Sequence, residues 1–212
     1  MAVIQERREV SDFDEIALEG SGIILLEQAD QDGLVIETEE DLLPKIKSEV
    51  KDGRLHLGFK SWLDHLTNFG HAPITYHIRM RQVHGVLISG SGKLQAGWIE
   101  TDRLRLKVSG AGNILISDLH TADLETSFSG SGEAKLSGAA QIQEVHISGS
   151  GDFKGEELEC QEARVRISGS GSVRLRASQR LDVRISGSGE VRFAGQPSIT
   201  HQIHGSGSIK PL

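Results

Sequence analysis

The chain has 212 residues, enough for one or two domains with a buried core, and its 25 glycines against 4% aromatic residues make it glycine-rich and aromatic-poor. It still holds too much Val, Ile and Leu for disorder. The formal net charge of −7 argues against nucleic acid as the main partner, and the single cysteine, Cys160, excludes an internal disulfide or a cysteine-built metal site.

The acidity is local. Residues 1–60 carry 15 acids and 7 bases, whereas residues 61–212 carry 15 acids and 16 bases. No apolar run approaches the length of a transmembrane helix. The opening Met-Ala-Val-Ile-Gln-Glu-Arg-Arg lacks the apolar centre of a signal peptide, so a cytosolic chain is expected unless a targeting segment lies upstream.

In chain order, residues 13–60 read as degenerate β structure. Ile16 and Leu18 alternate before Gly20-Ser21-Gly22, Ile23 and Leu25 follow it, and Leu34 and Ile36 mark another strand. Asp41-Leu42-Leu43-Pro44 predicts a short helical turn ended by proline, and Asp52-Gly53 between Val50 and Leu55 predicts a two-residue hairpin. Residues 61–73 break the pattern. Trp62, Leu63, Leu66 and Phe69 there match a short amphipathic helix or packed loop, either a flap on the solenoid side or an oligomer contact through Trp62, Leu66 and Phe69.

A repeat then takes over. Gly-Ser-Gly units begin at Gly90, Gly130, Gly149, Gly169, Gly187 and Gly205, with Gly-Ala-Gly at Gly110, at successive spacings of 20, 20, 19, 20, 18 and 18 residues. Two residues before each triplet stands Ile88, Val108, Phe128, Ile147, Ile167, Ile185 or Ile203. Two residues after it stands Leu94, Ile114, Ala134, Phe153, Val173, Val191 or Ile209. Apolar columns alternating with polar ones on both sides of a turn predict two short half-buried strands per repeat. Glycine fits such a turn because it adopts positive φ and brings no Cβ against the next coil. The expectation is an all-β, single-stranded β-helix (a solenoid) of coils of about 19 residues. Residues 1–83 form its degenerate capping region with the inserted segment 61–73, and residues 84–212 form the regular coils, continuous with it.

The arrangement closely resembles a bacterial family of unknown function described as putative auto-transporter adhesin, head GIN domain. The likeness rests on Phe13-Asp14-Glu15-Ile16, on Asp41-Leu42-Leu43-Pro44 with Gly53-Arg54-Leu55, and on the Ser-Gly-Ser-Gly series through Ile203-His204-Gly205-Ser206-Gly207. Asp182 in Arg180-Leu181-Asp182-Val183, and Gly195-Gln196-Pro197, also match that family's last coils. The resemblance implies a pectin-lyase-like, right-handed β-helix, usually exported, with cell adhesion proposed and no established activity.

Any chemistry would lie on the outward columns. One runs Lys93, Asn113, Glu133, Asp152, Ser172, Glu190, Ser208, where only Glu133 and Asp152 are neighbouring acids, which read as stacked solvated carboxylates sooner than as a lyase or hydrolase site. The next runs Gln95, Leu115, Lys135, Lys154, Arg174, Arg192, Lys210, five bases in succession, with Glu133–Lys135, Asp152–Lys154 and Glu190–Arg192 expected to pair along their strands. A partly basic column precedes the turn: Lys107, Ser127, His146, Arg166, Arg184. These columns read as a solubilising surface or as a linear site for an anionic polymer such as an acidic glycan. His65, His71, His77 and His84 show no ligand spacing, no nucleophile elbow or phosphate loop is visible, and neither cofactor nor metal is expected. Cys160 sits in Glu156-Glu157-Leu158-Glu159-Cys160, where anions disfavour a thiolate. Three functions stay open: a non-catalytic binding or adhesion module of the cell envelope, a cytosolic self-assembling solenoid, and a polysaccharide-active enzyme.

Overall fold

The alternation beside each triplet becomes a stack of parallel strands. The computed structural model describes residues 2–61 and 73–212, which form 17 strands in one hydrogen-bonded sheet wound into a solenoid of about six turns. Strand β1 (Val3–Arg8) precedes β2 (Glu15–Gly20) and β3 (Ile23–Gln28), which flank the first triplet. Then come β4 (Gly33–Glu39), a 3-10 turn (Leu43–Lys45), β5 (Ile46–Lys51), β6 (Arg54–Phe59), β7 (Thr75–Met80) and β8 (Gly85–Gly90). Strands β9 (Lys93–Gly110), β10 (Asn113–Gly130), β11 (Glu133–Gly149) and β12 (Asp152–Gly169) each run from one triplet to the next. The last coils are β13 (Ser172–Arg176), β14 (Arg180–Gly187), β15 (Glu190–Ala194), β16 (Ser198–Gly205) and β17 (Ser208–Pro211).

The register explains the repeat. Gly90, Gly110, Gly130, Gly149, Gly169, Gly187 and Gly205 stand opposite one another on successive coils, and Gly20 pairs with Gly90. The triplet that is isolated in sequence is therefore a rung of the same ladder. At Gly130 φ is +138° and an added Cβ would lie 2.3 Å from the carbonyl oxygen of Gly110, so only glycine fits. The following Ser131 amide donates to that same oxygen at 2.8 Å and ties the coils together.

Each full coil has three sides rather than the two predicted. In β9 the buried residues are Leu94 and Ala96, then Ile99, then Leu104, Leu106 and Val108. The two changes of phase fall at the exposed pairs Gly97–Trp98 and Asp102–Arg103, where two successive residues face outward and the strand bends. The extra side is short and has two inward columns, one running Ile99, Leu119, Gly138 and Leu158 and a more mixed one running Thr101, Thr121, Ala140 and Cys160. After the first triplet the buried phase is Ile24 and Leu26, not Ile23 and Leu25.

The N-terminal end is closed by antiparallel strands. β6 pairs parallel with β2 and β7 with β3, forming a coil whose connection runs from Phe59 to Thr75 instead of through a triplet. β5 folds back antiparallel on β6 through Asp52 (φ +52°) and Gly53 (φ +74°), the hairpin turn predicted. β4 runs antiparallel between β7 and β1, and Phe13, Leu42, Leu43 and Ile46 bury apolar surface at this end. Pro44 lies within the 3-10 turn instead of ending it. At the opposite end, among the described residues, β16 pairs only with β14 and β17 only with β15, and seven of the eight residues of β16 are exposed.

The lumen is apolar with a conspicuous exception at Gln143. This side chain is fully buried, stacked between Leu124 and Ala163, and neither its amide nitrogen nor its oxygen has a hydrogen-bond partner. Two other inward residues of the same coil, Ala134 and Ala140, are small, and the long Gln143 side chain can occupy volume they leave.

Candidate functional site: the charged triplet edge

Residues that alternate outward beside a triplet inherit the register of the glycine ladder. Lys135, Lys154, Arg174, Arg192 and Lys210 therefore stand in one continuous row across β11, β12, β13, β15 and β17. Strands stacked about 4.8 Å apart make this row roughly 19 Å long.

The bases are not equally available. The Lys154 ammonium lies 2.7 Å from Glu133 and 3.6 Å from Asp152, and the Glu133 carboxylate holds it above the ordinary lysine value. Glu190 takes both Arg192, at 3.2 Å, and Lys210, at 3.6 Å. Lys135 and Arg174 have no ion pair among the described residues. The expected Glu133–Lys135 pair is thus replaced by a contact between coils. Glu133 faces Asp152 directly across the ladder, and Lys154 leans between the two carboxylates and relieves their repulsion. These two acids, the only adjacent pair in their column, are therefore occupied by a cation.

The pre-turn column continues through Lys107, Ser127, His146, Arg166, Arg184 and Gln202, again in register. It borders a shallow groove of about 560 Å³ that also touches Ser129, Ser148, Ser168 and Ser186. His146 pairs with Glu144 at 2.9 Å, and Arg184 reaches Asp182 at 3.7 Å. Lys107 and Arg166 have no ion pair among the described residues.

Taken together, the five outward columns from the pre-turn row to the post-turn row hold nine lysines and arginines against four carboxylates, Glu19 beside the first triplet included, in a chain whose net charge is −7. Charge is segregated around the solenoid's circumference, with the cations gathered along the triplet edge. This could not be read from net charge by segment. It required knowing that both flanks of every triplet share one edge.

Elsewhere the titratable groups are structural. His77 pairs with Glu37 at 3.3 Å, His84 with Asp14 at 3.0 Å and His120 with Asp118 at 2.9 Å. Among the described residues no group of three His, Cys, Asp or Glu side chains is placed to hold a metal ion. Cys160 faces inward on the short side, where burial pushes its thiol up to about 11. The proposed contact residues Trp62, Leu66 and Phe69 lie outside the described residues. No helix among the described residues is long and apolar enough to cross a membrane.

A parallel β-solenoid with a glycine ladder and charge gathered on one edge defines a class of repetitive scaffold with an open, linear surface. The chain belongs to the family described as "Putative auto-transporter adhesin, head GIN domain", whose model matches residues 12–197. Among solved structures it is similar to a "putative adhesin" from Bacteroides fragilis, at 24% identity and a TM-score of 0.92, covering 100% of this chain and 97% of that one. A "putative lipid binding protein" from Parabacteroides distasonis aligns at 26% identity and a TM-score of 0.81, covering 99% of this chain and 96% of that one. A "putative adhesin" from Parabacteroides merdae aligns at 20% identity and a TM-score of 0.76, covering 99% and 96%. No match is found among curated proteins.

Proposed function

We propose that this chain is a non-catalytic binding module of the bacterial cell envelope, holding an acidic glycan along the row Lys135, Lys154, Arg174, Arg192 and Lys210. The observation that carries the reading is the segregation of nine bases against four acids onto the triplet edge of a chain of net charge −7. A linear cationic row presented by a rigid scaffold matches a linear anionic polymer in both shape and charge. At the Glu133–Asp152 pair, Lys154 balances both carboxylates at 2.7 and 3.6 Å. Membership of an adhesin family supports placing the chain at the cell surface.

The test is salt-sensitive retention on immobilised polygalacturonate. Lys135→Glu with Arg174→Glu, which reverses the two bases that have no ion pair, is expected to weaken retention about tenfold. Retention unchanged by the double reversal rules out this row as the seat.

One observation favours a second reading, end-to-end self-association. β16 pairs on one side only among the described residues, and Ile199 in it is 40% exposed. Light scattering that gives a strict monomer at high concentration removes this reading.

A further inference from the structure

The pre-turn side of the edge offers more than its share of charge. Its groove follows the solenoid axis for the full height of the regular coils, from Lys107 on β9 to Gln202 and His204 on β16. One bank is the cationic column and the other is the row of hydroxyls Ser129, Ser148, Ser168 and Ser186, which His204 ends. Outward residues two apart on a strand are about 7 Å apart, so the channel between the banks admits one polymer strand and not a duplex. No exposed Phe, Tyr or Trp borders it, the side chains on which single-stranded nucleic acid is most often stacked. The apolar side chains that line it, Phe128, Ile147, Ile167 and Ile185, are each 2% exposed and turned to the lumen, so they offer an acyl chain little surface to bury. Cations to pair with acid groups, and hydroxyls to meet sugar hydroxyls, are the chemistry of an acidic polysaccharide.

The post-turn row differs in kind. It is a flat row in which Lys154, Arg192 and Lys210 are already paired with carboxylates. In the groove, Lys107 and Arg166 have no ion pair among the described residues, and the Arg184–Asp182 contact is long at 3.7 Å. Arg166 and Arg184 stand on adjacent coils, and Ser127 and His146 separate them from Lys107 along the column.

We infer that this groove is a second glycan-binding subsite, in which a single acidic polysaccharide chain lies along the solenoid axis with its acid groups on Lys107, Arg166 and Arg184 and its hydroxyls against Ser148 and Ser168. The inference rests on the reading of the triplet edge as a polyanion surface, and the two can fail separately.

The experiment titrates the full chain with polygalacturonate and with chondroitin sulfate, using dextran as the neutral control, at low and moderate salt. Three proteins are compared: the natural sequence, Lys107→Glu with Arg166→Glu, and Lys135→Glu with Arg174→Glu. Thermal unfolding confirms that each variant is folded. The groove reversal is expected to lower affinity for the acidic chains about tenfold, leaving dextran unbound. The carboxylate and sulfate arms show which acid group the subsite takes. If the post-turn reversal weakens binding and the groove reversal does not, the groove is overturned while the proposed function stands. If the natural sequence binds neither acidic polymer, both fall. If the groove reversal instead abolishes binding to vesicles of anionic phospholipid and leaves the glycans unaffected, the ligand class is overturned in favour of a membrane surface.

Discussion

Replacing Gly130 by alanine tests the ladder on which every column depends. Gly130 has φ +138°, and an alanine Cβ there would stand 2.3 Å from the Gly110 oxygen and 3.0 Å from its carbonyl carbon. Those are backbone atoms of the coil beneath, fixed by the Ser131 N–H bond to the same oxygen at 2.8 Å, so no side-chain rotation relieves the contact. A positive φ costs alanine about 1–2 kcal/mol. Separating the coils costs about 1–3 kcal/mol more, and the weakened bond adds about 1 kcal/mol. Together the loss is about 3–6 kcal/mol, a large part of the stability of an ordinary domain. The control is Gly97→Ala at the first corner of the same scaffold. No atom lies within 4 Å of the added Cβ there, and φ is not in the left-handed region, so the change stays within about 1 kcal/mol. Urea unfolding followed by circular dichroism measures both. A Gly130→Ala protein as stable as the Gly97→Ala protein refutes the argument that backbone approach between coils dictates the triplet.

Two further outcomes follow from the lumen. Gln143→Met keeps the volume and removes an amide buried without a partner, so it should raise stability by about 1–2 kcal/mol in the same urea assay, whereas a loss would mean the amide is satisfied. Cys160 should resist alkylation at neutral pH in the folded protein and react once urea is added. Its thiol lies at about 11 when folded against an ordinary 9.0, so the unfolded chain releases the proton first. The stability it contributes is whole below pH 9.0 and lost as pH rises through about 11, at most about 3 kcal/mol. Burial raises the Tyr76 phenol as well. Alkaline destabilisation should therefore shrink, without vanishing, in Cys160→Ala, and identical pH profiles would contradict the assignment.

Much of this architecture is legible from residue spacing alone, because a period-two column on each side of a glycine triplet has few structural solutions. The columns Ile88 to Ile203 and Leu94 to Ile209 face the lumen. The third side was not legible. One of its two inward columns mixes Thr121, Ala140 and Cys160, the other is broken by Gly138 between Leu119 and Leu158, and its two corners each interrupt the alternation, so no single period marks it. The first triplet looked isolated because strands β4 to β7 intervene in sequence while lying outside the stack of regular coils. At the edge, the rows of bases could be read by alignment, but their availability could not. That depends on which neighbour a long side chain reaches, as Lys154 shows by choosing Glu133 of the preceding coil. Nor could the sequence reveal that the pre-turn column borders a groove.

The central claim is that the triplet edge binds an acidic polymer without cutting it. Its most direct measurement is calorimetric titration of the natural sequence with polygalacturonate at increasing salt, with the polymer's length checked before and after. The account predicts binding that weakens steadily with salt and a polymer of unchanged length. Salt-independent binding, absence of binding at low salt, or shortening of the chain would contradict it.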